Sequence, residues 1–103
     1  MKSELRLSIA DVGCYRLPET LTFATAPGLY LQTGEMFNTP LPTLTFDLVD
    51  VTRVDSAGLA LLLEWLREGR RRNKEIHFQN IPTQLTAIAK VSGLNGILPE
   101  SRG

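Results

Sequence analysis

The sequence predicts an α/β sandwich: a mixed four-stranded sheet with its helices mainly on one face. Three observations carry that expectation. Residues 44–79 read strand, helix, strand, and a helical crossover forces the two strands it joins to run parallel. Two short segments around Ala10-Asp11-Val12-Gly13 read as an antiparallel hairpin. Between them and the crossover, Thr25 with Pro27 just inside marks the start of a further helix. With 103 residues, the chain is expected to form a single domain over 1–103.

The elements follow in order. Leu5, Leu7 and Ile9 alternate with polar residues, the period of a half-buried strand, and Cys14-Tyr15-Arg16-Leu17 returns as the second arm. Pro18 ends that arm or leaves it on an edge, since it cannot donate to a sheet ladder. Thr25 followed by Pro27 is a sound helix start, so residues 25–37 are expected to be one helix, weakened by Gly28 and Gly34. The run Asn38-Thr39-Pro40-Leu41-Pro42 is a loop. Leu44 to Leu48 forms a strand that Val49 to Val54 carries towards a serine turn. Leu59, Leu62, Leu63 and Leu66 then mark the strongest helix, with Glu64, Arg67, Glu68 and Arg71 opposite, ending near Asn73. Glu75 to Gln79 alternates as a strand, and Pro82 to Ser92 is a second amphipathic helix with Gly93 placed to end it. Leu94, Ile97 and Leu98 form a last apolar patch.

Composition narrows the function classes. Eleven basic residues balance eleven acidic ones, so no long-range field draws the chain to nucleic acid or to an anionic membrane. The N-terminal Met1-Lys2-Ser3-Glu4-Leu5-Arg6 lacks a signal-peptide apolar stretch, and no apolar run approaches the roughly 20 residues that span a bilayer. The expectation is a cytoplasmic protein without direct membrane insertion. Cys14 has no second cysteine to pair with and is expected to be a small buried residue.

The informative segment is Val54-Asp55-Ser56-Ala57-Gly58-Leu59, where a strand ends and the leucine-rich helix begins. A hydroxyl beside the free N–H groups of a helix start suits a phosphate or a partner's polar groups. Asp55 or Ser56 can be simply the N-cap. Ser56 can also be a phosphorylation site, because added negative charge is tolerated at that end of the helix dipole. The unmodified hydroxyl can itself be a contact point. A nucleophilic Ser56 would need a base, and His77, the one histidine, sits mid-strand beside Phe78, so no catalytic residue is assigned.

The run from Phe46 to Leu59, Phe46-Asp47-Leu48-Val49-Asp50-Val51-Thr52-Arg53-Val54-Asp55-Ser56-Ala57-Gly58-Leu59, resembles the signature of the STAS domain family. The likeness extends over the opening hairpin, the βαβ unit and the C-terminal Lys90-Val91-Ser92-Gly93-Leu94. It implies a STAS-like sandwich and a non-catalytic interaction module. In anti-sigma factor antagonists of this family a partner kinase phosphorylates the turn serine, which here corresponds to Ser56. Those antagonists carry a Gly-Glu-Leu-Asp-like segment where this chain has Pro18-Glu19-Thr20-Leu21-Thr22. Arg53-Val54-Asp55 with Gly58-Leu59-Ala60-Leu61-Leu62-Leu63 is similar to the stand-alone STAS subunit of Mla phospholipid ABC transporters. That branch implies docking on the transporter's ATPase subunit. The antagonist branch implies an anti-sigma factor and a serine kinase as partners.

The helix after the turn points to a partner independently of the resemblance. At about 100° per residue, Leu61 points away from the Leu59/Leu62/Leu66 stripe, with Ala57 and Trp65 one turn either side. An exposed Ala57–Leu61–Trp65 ridge would continue the surface begun by Asp55, Ser56 and Gly58, and tryptophan is enriched at such anchors. A neighbouring helix covering that flank is the competing reading. Asp47, Asp50 and Asp55 read as a solvated strand end rather than a cation site. Arg70-Arg71-Arg72-Asn73-Lys74 reads as a basic helix C-terminus. No glycine-rich phosphate loop and no Cys/His metal spacing occur, so neither cofactor nor metal is expected.

Overall fold

The computed structural model describes residues 8–11, 13–94, 96 and 98, with side chains from residue 13 onward. Leu5 and Leu7 of the expected first strand, and Ile97 of the last apolar patch, lie outside the described residues. Strands β1 (Ser8–Asp11) and β2 (Cys14–Arg16) pair antiparallel, with an irregularity between Ile9 and Asp11. Strand β3 (Thr20–Leu21) leads into helix α1 (Ala26–Tyr30) and helix α2 (Thr33–Phe37). Strand β4 (Thr43–Asp47), strand β5 (Arg53–Val54), helix α3 (Ser56–Arg71), strand β6 (Glu75–Gln79) and helix α4 (Thr83–Val91) follow. The main sheet has the order β1-β2-β4-β6, and β2, β4 and β6 run parallel.

Alternation along the strands decides where the core lies. Leu44, Phe46, Ile76 and Phe78 are buried on one face, while Thr43, Thr45, Asp47, His77 and Gln79 are half-buried on the other. Trp65 of α3 stacks on Phe46 at 4.4 Å between ring centroids, and Tyr15 and Phe78 flank the same ring at 5.9 Å. Leu85 and Ala89 of α4 join this core, as do Leu29, Met36 and Phe37. Lys74 closes the opposite end of the molecule from the serine turn. Its ammonium donates to the carbonyls of Thr39 and Leu41, and the Glu75 N–H donates to Pro42 O at 2.8 Å.

Three elements differ from expectation. Residues 25–37 form two five-residue helices, because the chain turns at Leu31 and Gln32, where the Gln32 N–H donates to Leu29 O. The turn lets Leu29 on one side and Met36 and Phe37 on the other reach the same core. Thr25 does occupy the cap position but gives its hydroxyl to Thr20 O at 2.7 Å instead of capping α1. Residues 49–54 do not prolong β4. Instead β3 and β5 form a separate parallel pair, extending the β2–β4 pairing beyond a break. Arg16 opposes Asp47 and Thr20 opposes Arg53, so the second chain takes two extra residues to cover the gap.

Candidate functional site

The small β3–β5 pair delivers the serine turn to the surface. From Val54 the chain enters Asp55 in an extended conformation (φ −140°, ψ −173°), the geometry of an N-cap. Asp55 Oδ1 accepts from the N–H groups of Ala57 and Gly58 at 2.9 and 3.2 Å. Its Oδ2 accepts from the Phe23 N–H at 3.1 Å, and its own N–H donates to Leu21 O at 3.3 Å. The N-cap is therefore Asp55, and Ser56 is the first helical residue, with its side chain exposed. The anion-binding capacity expected of this helix start is already occupied by the protein's own carboxylate.

Gly58 explains how close α3 sits to β3. A Cβ built on Gly58 would lie 2.2 Å from Leu21 O, so no side chain fits there. At the other end of α3, a Cβ on Gly69 would lie 2.5 Å from Ile76 Cγ1. The helix thus rests on the strands along Gly58, Leu61, Leu62, Trp65 and Gly69, all buried.

That contact line corrects the expected ridge. Leu61 is 4% exposed and Trp65 is fully buried, its indole N–H donating to Thr33 Oγ1 at 3.0 Å. Of the expected inner stripe, Leu59 and Leu62 are buried, while Leu63 and Leu66 are only partly so. The true inner face is rotated by roughly a quarter turn from the leucine stripe, at 3.6 residues per turn. Counting leucines missed it because the two glycines mark the closest approach yet carry no hydrophobic signal. Ala57 remains half-buried, and Ala60 is exposed on the outer side where Trp65 was expected.

An apolar groove lies on that outer side, against Ala57 and Ala60 of the first turns of α3. It has a volume of about 330 Å3 and runs between Phe23, Pro27 and Tyr30 on the α1 side and Ala57, Ala60 and Glu64 on α3, with Leu61 in its floor. Phe23 is 75% exposed and Tyr30 49% exposed, unusual for large aromatic rings in a folded chain. Sequence reasoning missed both. The available signal was Phe23 in a Thr22–Thr25 turn with no periodic partner to bury it.

The remaining candidates lie apart. His77 is on the sheet face away from the helices, since its neighbours Ile76 and Phe78 point into the core, so Ser56 and His77 are not brought together. His77 Nε2 is 3.5 Å from Glu75 Oε2. The three aspartates of the strand ends have separate roles: Asp47 Oδ1 accepts from Val49 N–H and Asn80 Nδ2, Asp50 pairs with Arg16 at 3.3 Å, and Asp55 caps α3. Arg71 and Arg72 both pair with Glu68, and Arg72 also lies over the Phe37 ring. Cys14 is half-buried on the sheet rather than a core residue. Among the described residues no helix is long and apolar enough to cross a membrane.

Comparison with known proteins places this architecture. The family model described as "Mlab, STAS domain" matches residues 12–99. The chain belongs to the MlaB-type STAS domain family. A relative within reach of direct sequence comparison is the intermembrane phospholipid transport system binding protein MlaB of Haemophilus influenzae, 32% identical over 68 residues, or 66% of this chain. The chain spans 62% of that relative's length. Among solved structures, the anti-sigma factor antagonist SpoIIAA in its unphosphorylated form is similar with a TM-score of 0.71 at 17% identity, over 93% of this chain and 86% of that one. At that identity the likeness is one of fold. The STAS-domain α/β fold expected from the Phe46–Leu59 run is therefore the fold of this chain.

Proposed function

We propose that this STAS domain is a non-catalytic, cytoplasmic accessory subunit that docks on the ATPase of an Mla-type phospholipid ABC transporter. The observation that carries this reading is an apolar groove lined by Phe23, Tyr30, Ala57 and Ala60, next in sequence to the exposed Ser56, in a chain similar to MlaB. Ser56 and Ala57 are the contact points at the turn, and Phe23, Tyr30 and Ala60 supply the apolar rim. Asp55 and Gly58 shape the turn, Leu61 floors the groove, and Trp65 supports it from inside the core. The docked ATPase is held in its assembled form, with no cofactor or metal needed at the interface.

Capture of a purified Mla-type ATPase by the tagged protein tests the reading. Phe23→Asp and Ala60→Arg each weaken capture on the order of a hundredfold while the thermal transition moves by only a few degrees, as expected for charges placed on an apolar anchor. Capture that survives both substitutions overturns it.

A second reading is an anti-sigma factor antagonist switched by a serine kinase acting on Ser56. The exposure of Ser56 and the likeness of fold to SpoIIAA favour it. Incubation with a serine kinase and ATP, followed by intact mass, separates the two. Stoichiometric addition of one phosphoryl group at Ser56 supports the switch, and an unchanged mass counts against it.

A further inference from the structure

We propose that the Asp55 carboxylate couples Ser56 to the Phe23 turn, so that charge introduced at residue 56 is transmitted to the aromatic rim of the groove. The importance of Phe23 rests on the docking reading above; the coupling itself does not. Asp55 divides its two oxygens between two parts of the chain that are 32 residues apart. Oδ1 holds the first turn of α3, and Oδ2 holds the backbone of Phe23.

The Phe23 turn has its own internal bonds, from Thr22 N–H to Thr25 Oγ1 and from Ala24 N–H to Thr22 Oγ1. Neither fixes the Phe23 peptide against α3. The ring is three-quarters exposed, so packing adds little. Asp55 N–H holds Leu21 O two residues earlier at 3.3 Å, and the bond to Asp55 Oδ2 is the contact that fastens the Phe23 peptide itself.

Ser56 directly follows this shared carboxylate. A phosphoryl group or a glutamate at residue 56 places a second anion beside Asp55, drawn to the same N–H groups of Ala57 and Gly58 by the helix dipole. Two adjacent anions repel, and the N–H groups of one helix turn cannot satisfy both. Asp55 then gives up an amide. The Phe23 bond, single and exposed, is lost before the paired bonds to α3. The turn opens and the aromatic rim leaves its place over Ala57 and Ala60.

The test compares the intact protein with Asp55→Asn and Ser56→Glu, following amide exchange with water by NMR and capture of the Mla-type ATPase. Asparagine keeps one oxygen for Ala57 and Gly58 but turns an NH2 towards the Phe23 N–H, donor against donor. In both variants Phe23 amide exchange rises on the order of tenfold, with the α3 interior amides of Leu62 and Leu63 unchanged. Should Asp55→Asn fail to fold, Ser56→Glu reads the same amide by itself. An unchanged Phe23 amide in the folded variants overturns the coupling. A tenfold rise at Phe23 with undiminished capture supports the coupling and overturns the docking reading instead.

Discussion

At the scale of single residues, two glycines separate local from tertiary demands. Gly58 has no room for a Cβ, since its nearest neighbour would be the Leu21 carbonyl, which belongs to the β3–β5 pair and cannot swing aside. Gly58→Ala is expected to destabilise the fold by about 1–3 kcal/mol, the usual range for overpacking. Gly34 in α2 faces open space, so Gly34→Ala stabilises by about 0.4–1 kcal/mol through the unfolded chain. Urea unfolding of the two variants reads both signs in one experiment; two losses of equal size would refute the distinction. That Asp55 or Ser56 caps the helix was legible because it depends on a few neighbouring residues; the Asp55 bonds to the Ala57 and Gly58 amides decide between the two. Phe23 was not, because its partner is a carboxylate 32 residues further along the chain.

Among the elements, α3 shows how a correct boundary can coexist with a wrong orientation. Its start and end were readable from the aspartate cap and from the basic last turn of Arg70 and Arg71. Its inner face was not, because glycines at both ends let the helix lie almost on the strands and bring Trp65 over Phe46. Trp65 is therefore a core element joined to α2 through Thr33. Trp65→Phe retains the ring stack but leaves the buried Thr33 hydroxyl without this donor, and should cost about 1–3 kcal/mol. Thermal unfolding of Trp65→Phe alone and with Thr33→Val tests this, since the double variant recovers much of the loss if the orphaned hydroxyl is its cause. The β3 and β5 strands escaped prediction for a different reason. Two-residue strands carry no period, and each exists only because the other is held opposite it.

Across the whole molecule, the Cα radius of gyration is 12.7 Å. The crossover and the helical coverage of the sheet came through in the sequence because they are written in long periodic segments. What stayed hidden was the relation between segments: the quarter turn of α3, the break between α1 and α2, and the groove that results. The balanced charge of the chain has a consequence for that groove. Glu64 is the one charged residue among its lining, so capture of an ATPase there should change by less than about threefold between low and physiological salt. Titration of binding at two ionic strengths checks this, and a steep loss with salt would place the contact on a charged surface elsewhere.

The Lys74 clasp gives the molecule a polarity. One ammonium and one backbone amide fasten the segment before β4 to the segment before β6, where those parallel strands begin. At the far end, the Phe23 turn hangs on a carboxylate that it shares with α3. The two ends are therefore fastened by opposite chemistry, an ammonium on carbonyls where the strands enter and a carboxylate on amides where they leave. A positive charge thus ties the chain together at one end of the parallel strands and a negative charge at the other.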